Sequence, residues 1–153
     1  MRYFKKEIVL QEVPGEISLC YFICGCPLHC KGCHSSFTWN ENTGYQLDLH
    51  DYKETLERYK DYVSCILFMG GEWHEDELIP LLRIARNKGL KTCLYTGLDD
   101  ASTPLRNELT FLKTGPWIPE LGGLNSSQTN QRMIELKTGE CLNPCFQREI
   151  LVG

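Results

Sequence analysis

Three cysteines fall within eight residues, Cys26-Pro-Leu-His-Cys30-Lys-Gly-Cys33, just behind the apolar run Ile17-Ser-Leu-Cys-Tyr-Phe-Ile23. A β-prone run that empties into such a loop marks its own C-terminal end as the chemical end. A disulfide framework would spread its cysteines along the chain to close long loops. A tetrahedral zinc site usually takes two ligands from one loop and two from another. Three thiolates from one short loop suit three irons of a cubane cluster whose fourth iron keeps no protein ligand. Fully ligated clusters take four cysteines and typically carry electrons. An open position is what catalytic metal sites keep for a small molecule.

The surrounding pattern predicts where that loop lies. Residues 7–13 and 16–24 are β-prone runs separated by the turn signal Pro14-Gly15. Residues 48–60 carry Leu49, Tyr52, Leu56 and Tyr59 at helical spacing, with Asp48 as N-cap. Residues 63–69 read as a buried parallel strand, followed by Gly70-Gly71-Glu72. Residues 75–88 read as a second helix with Leu78, Leu81, Leu82 and Ala85 inward and Gly89 as its stop. Pro80 asks to lie near the first turn of that helix. Residues 90–96 form the next strand, ending at Gly97.

The order strand, helix, strand, helix, strand predicts right-handed crossovers and a parallel sheet. Beyond Gly97, residues 104–112 read as a short helix leading into a strand, 115–123 as a loop and 132–137 as a late strand. The chain of 153 residues has the size of one domain, 1–153, too short for a complete eight-unit barrel. The expected fold is α/β: an incomplete βα barrel with a mostly parallel sheet and ligands at the strands' C-terminal ends.

Composition removes several function classes. Sixteen basic against twenty acidic residues give a net charge of −4, without a basic footprint for nucleic acid. No run reaches the apolar length of a membrane span, and none near the start has signal-peptide length. A cytoplasmic, reducing setting is therefore expected, where nine cysteines read as metal ligands or buried thiols. Cys20, Cys65 and Cys93 lie in apolar strands and read as core. Cys24 lies close to the cysteine loop, but its spacing fits the motif less well. One zinc alternative stays open: Cys30 and Cys33 joined by Cys141 and Cys145.

Two further features belong to the same strand ends. Gly70-Gly71 lets a backbone approach a ligand closely, because no Cβ intervenes, and Glu72 can accept hydrogen bonds from an ammonium group. Thr96, at the end of the next strand, presents a hydroxyl to the same mouth.

The Cys-x3-Cys-x2-Cys spacing, with Gly-Gly-Glu one βα unit later, resembles the radical S-adenosylmethionine (SAM) enzymes. The resemblance implies a 4Fe–4S cluster on Cys26, Cys30 and Cys33 and SAM chelated to the open iron. It implies that Gly70, Gly71 and Glu72 recognise the amino group of SAM and that Thr96 touches SAM. The backbone around Gly32, Cys33 and His34 would meet the adenine edge. This chain departs from the family at Gly32, where an aromatic residue is common, and at Trp73, where proline is common.

The segment Cys33-His-Ser-Ser-Phe-Thr-Trp39 resembles glycyl-radical-enzyme activases. Leu121-Gly-Gly-Leu-Asn-Ser-Ser-Gln-Thr-Asn-Gln-Arg132 resembles the anaerobic ribonucleoside-triphosphate reductase activating proteins, which are among the shortest of that superfamily. The implied reaction is reductive cleavage of SAM, with the electron from a flavodoxin-like donor, and hydrogen abstraction from a glycine of the reductase. A short barrel with a wide mouth agrees with a macromolecular substrate. Asn125, Thr129, Asn130, Gln131 and Arg132 offer hydrogen-bonding groups for such a partner or for local loop structure. Two other readings stay open. One is a small radical SAM enzyme acting on a nucleotide or on a different glycyl radical enzyme. The other is a non-enzymatic zinc or iron–sulfur module.

Overall fold

The computed structural model describes residues 1–33 and 36–147. One eight-stranded sheet runs in the order β3-β1-β2-β4-β5-β6-β7-β8. Its centre is β2 (Ser18–Ile23), β4 (Cys65–Met69), β5 (Lys91–Tyr95) and β6 (Phe111–Thr114). These pair parallel to one another. Antiparallel strands flank them: β1 (Arg2–Val9) and β3 (Tyr45–Gln46) on one side, β7 (Arg132–Glu135) and β8 (Glu140–Cys141) on the other. The expected α/β class holds, and the sheet is mixed, its parallel part confined to four central strands. The reason lies in the connections. Short turns at Pro14-Gly15 and Thr138-Gly139 can only return the chain antiparallel, whereas α1 (Leu49–Tyr59) and α2 (Glu75–Asn87) provide crossovers for parallel neighbours.

Every residue of β2 is buried, so this strand is covered on both faces. Leu19, Tyr21 and Ile23 join Ile66, Phe68 and Leu94 beneath Tyr52 and Leu56 of α1 and Leu78, Leu81, Leu82 and Ala85 of α2. The alternate residues Cys20 and Phe22 turn to the other face with Cys65, Leu67, Cys93, Phe111 and Met133. Burial pushes the Cys65 thiol up to about 12, so it stays protonated and inert. Asp48 caps α1 by accepting from the Asp51 amide at 3.0 Å. The Tyr52 hydroxyl donates to the Leu81 carbonyl at 2.8 Å and ties α1 to α2.

Several boundaries differ from the sequence expectation. The first strand starts at Arg2 and ends at Val9, and residues 10–13 belong to the loop that folds Val13 under the sheet. Leu49 is exposed, because it opens the helix before the apolar face begins. Pro80 sits in the second turn of α2, not the first; it is exposed on the outer face, and the buried leucines carry the helix through. Three short elements escape the sequence reading, β3, β8 and α4 (Asn143–Gln147). α4 is fixed by Asn143, whose amide group accepts from the Met133 N–H at 2.9 Å and donates to the Gln131 carbonyl at 2.8 Å. No helix among the described residues is long and apolar enough to cross a membrane.

Away from the cysteine loop, Glu108 is the nearly buried hub of an ion-pair cluster. It receives Arg83 at 2.9 Å and Arg86 at 2.7 Å, joining α2 to the segment before β6. Burial alone would raise its pKa, but the two guanidiniums outweigh it and hold the carboxyl below the ordinary glutamate range. A depressed folded pKa contributes stability above the unfolded value, and that contribution is lost as pH falls through the folded one. Glu108→Gln is expected to cost about 1–2 kcal/mol near neutrality, since the arginines are half exposed and screened. Urea unfolding at stepped pH should show the gap to wild type closing once glutamates protonate.

Candidate functional site

The strand register builds the site. Phe22 pairs with Met69, Met69 with Tyr95 and Tyr95 with Lys113, so the C-terminal ends of the four parallel strands finish in line. The segments leaving these strand ends converge at one mouth. Ile23, Met69, Gly70, Tyr95, Thr96 and Lys113 line a cavity of about 660 Å³, measured out to its open side. Cys26, Cys30 and Cys33 line the same cavity from above.

Local contacts hold the cysteine loop over the strand ends. The Gly25 amide donates to the Thr38 carbonyl at 2.6 Å and closes the loop's base. The His29 ring stacks on Trp39 with centroids 4.5 Å apart and planes 14° off parallel. Leu28 rests directly on Gly97: a Cβ there would stand 2.3 Å from the leucine methyl. Gly97 therefore serves close approach of the loop to the end of β5. Cys26 is half buried, and desolvation raises its thiol pKa, against which amides of Leu28 and His29 act.

The Gly70-Gly71-Glu72 turn follows β4, with the Gly70 amide donating to the Tyr95 carbonyl at 2.9 Å. Gly70 lines the cavity; Gly71 lies beneath the wall, against Ile23 and Met1. The Thr96 hydroxyl is buried, donates to Glu72 Oε1 at 2.7 Å and accepts from the Leu98 amide at 3.1 Å. Thr96 thus aims the carboxylate. Glu72 Oε2 is buried and finds no hydrogen-bond partner among the described residues. Desolvation raises the Glu72 pKa, partly countered by the Thr96 hydrogen bond. A cation placed there would favour the ionised form.

The structure brings together Cys26, Cys30, Cys33, Gly70, Glu72 and Thr96. Gly32 stands just outside, its open side against the Trp117 indole. His34 lies outside the described residues. Sequence reasoning did not place Trp73, Lys113, Trp117 and Gln131 on the site, yet all four line the cavity. Lys113 had a usable signal, since it ends an apolar strand in register with Tyr95. Desolvation lowers its pKa to about 8, while the nearby thiols Cys30 and Cys33 act to raise it. Trp117 sits in an irregular loop and gave no periodic signal. Thr129, Asn130 and Gln131 direct their side chains to loop carbonyls of Gly122, Pro116 and Gly115, the local-structure reading.

The donor set fits an iron–sulfur cluster better than a single ion. Among the described residues no three His, Cys, Asp or Glu side chains converge as ligands of one metal ion. A cubane instead takes each thiolate on a separate iron. Cys141 and Cys145 are exposed on β8 and α4 and do not line the cavity, so the four-cysteine zinc set is not assembled. Cys24 is buried, receives the Thr43 hydroxyl at 3.7 Å and also stays out of the cavity wall.

Comparison with known proteins agrees with this donor set. A family model described as a 4Fe-4S single cluster domain matches residues 13–114. The chain belongs to this 4Fe–4S family. The matched stretch contains the cysteine loop, the Gly70 turn and Thr96. Among curated proteins, the chain is 32% identical over 93 residues to the pyruvate formate-lyase-activating enzyme of Clostridium pasteurianum, covering 57% of this chain. It is 32% identical over 108 residues, 65% of this chain, to the enzyme of the same name from Streptococcus mutans. The similarity spans 39% of the length of each relative.

Proposed function

We propose that this chain is a radical SAM activase, a single domain over 1–153 on an incomplete βα barrel, working in the cytoplasm. Its substrate is a glycine-bearing loop of anaerobic ribonucleoside-triphosphate reductase. The observation that carries the reading is one cavity in which three thiols of a single loop meet a buried carboxylate with one oxygen, Glu72 Oε2, unpartnered among the described residues. Cys26, Cys30 and Cys33 hold the 4Fe–4S cluster, and Glu72, oriented by Thr96, takes the ammonium group of SAM. Gly70 lets that end of the ligand lie against the backbone. Trp117, against Gly32, provides the ring surface that the cysteine loop itself lacks. When bound, cluster and SAM together supply the one-electron chemistry that removes a hydrogen atom from a glycine Cα. No general acid or base is needed from the chain.

A groove of about 1250 Å³ opens from the cavity past Cys33 and Trp117 toward Asn125 and Phe146. Measured out to its open side, this space leaves room for a peptide segment beside the cysteine loop, which supports a protein substrate. A flavodoxin-like protein delivers the electron. The names of the two relatives favour a second reading, activation of a pyruvate formate-lyase type of enzyme. Reconstituted protein, SAM and a reductant should be mixed anaerobically with each enzyme in turn. The expected result is a doublet glycyl-radical signal on the reductase, absent when its radical-site glycine is Ala. A signal on the lyase alone would transfer the assignment to the second reading.

A further inference from the structure

The cavity and the groove share Cys33, Tyr95, Trp117 and Gln131 where one opens into the other. Gln131 is buried just before β7, and its amide nitrogen is directed to the Gly115 carbonyl at 3.4 Å and the Pro116 carbonyl at 3.5 Å. Those donations fix which way the carboxamide faces. Its oxygen turns to Gly123, 3.6 Å from where a Cβ on that residue would be, and receives no hydrogen bond among the described residues. Asn125 brings its side-chain oxygen to 3.8 Å from the same point, and Trp117 its ring to 3.5 Å. Gly123 and Asn125 line the groove but not the cavity. Their loop is braced by the Thr129 hydroxyl on the Gly122 carbonyl at 2.9 Å and by Gln147 of α4 on the Ser126 carbonyl at 3.0 Å. Thr129 and the Asn130 amide thus serve the loop itself, whereas the Gln131 oxygen faces outward from it.

A bare, uncharged floor beside a fixed acceptor suits a main chain better than a charged side chain. Gly123 has no side chain to hold a second backbone away. The groups around it, Trp117, Asn125 and Gln131, carry no charge to pair with a cation. A carbonyl oxygen on so buried a residue calls for a donor, and a peptide offers one N–H at each residue other than proline. We propose that Gly123 floors a subsite for the main chain of the glycine-bearing substrate segment, where Gln131 Oε1 accepts one backbone N–H and Asn125 meets a neighbouring polar group. A segment held there passes the junction of groove and cavity, beside Cys33. Gln131 and Asn125 are positioning residues and take no part in the hydrogen abstraction. The proposal rests on the protein-substrate part of the function given above.

The test uses reconstituted protein with its cluster oxidised and SAM present, so that nothing is cleaved. Fluorescence anisotropy measures the affinity of a labelled peptide spanning the radical-site glycine of the reductase. Gly123→Ala adds one methyl to the floor, at ordinary contact distances from Trp117, Gln131 and Asn125, and the backbone there is not left-handed. It should weaken peptide binding about tenfold, while Tm, iron content and SAM affinity match wild type. The same peptide N-methylated at one amide at a time, within two residues of the glycine, locates the donor. At one position the methyl should cost wild type about tenfold and cost Gln131→Met nothing further, whatever that variant loses in Tm. Unchanged peptide affinity in Gly123→Ala would overturn the proposal. So would equal N-methyl penalties in wild type and Gln131→Met at every position. A parallel loss of SAM affinity in Gly123→Ala would also overturn it, by giving the floor to the cofactor. Failure of wild type to bind either the peptide or the intact reductase would instead overturn the functional reading beneath it.

Discussion

Replacing Cys26, Cys30 or Cys33 with Ala is expected to abolish SAM cleavage and to strip the protein of its cluster. Each thiol lines the same cavity from the same loop, and among the described residues the wall offers no fourth thiol to substitute. Wild-type protein reconstituted anaerobically should carry roughly four irons per chain, as a cubane requires. Each of the three variants should carry far fewer, with the brown absorption lost. Cys141→Ala and Cys145→Ala should keep both iron and colour, because these exposed thiols stand away from the cavity. Iron analysis with circular dichroism as a fold control separates the cases. Loss of the cluster in Cys141→Ala with the fold intact would refute the three-ligand assignment.

Gly70→Val should weaken SAM binding on the order of a hundredfold, the equivalent of about 2.7 kcal/mol, while leaving iron nearly complete. Two effects combine. Gly70 adopts φ +86°, where a side chain is strained, and a Cβ there would strike the Trp73 ring at 2.5 Å. The ring must then move from the wall that Glu72 and Thr96 complete. Gly71 is the control. A Cβ on Gly71 meets Ile23 at an ordinary 3.4 Å, beneath the wall, although its φ of +109° strains any side chain. Gly71→Ala should therefore lower Tm and leave SAM affinity close to wild type. Titration of SAM against the reduced cluster's electron paramagnetic resonance signal reads the difference. If Gly71→Ala lost the ligand and Gly70→Val kept it, the cavity would be drawn on the wrong side of the turn.

The site was more legible in the sequence than its walls. The apolar runs of β2, β4 and β5 and the helical spacing in α1 and α2 are local patterns, so the first three central strands and both crossover helices could be read directly. Once the strand ends were located, the cysteine loop, Gly70, Glu72 and Thr96 followed, since each stands at the C-terminal end of a parallel strand. The antiparallel flanks were harder. β3 and β8 are two residues each, and β3 pairs with a strand distant in sequence. Trp117 and Gln131 reach the cavity from an irregular loop, where no period announces a direction. Trp73 stands in the sequence where proline is common in the family, and only the packing over Gly70 shows where its indole lies.

The central claim is that the cluster keeps one iron open for SAM. The most direct measurement is the electron paramagnetic resonance spectrum of the reduced cluster before and after adding SAM, with products followed in the same tube. The account predicts a changed spectrum on SAM addition, then methionine and 5′-deoxyadenosine in equal amounts. A 4Fe–4S spectrum that SAM leaves untouched, with no cleavage products under strong reductant, would show a cluster closed by a fourth ligand and contradict the account.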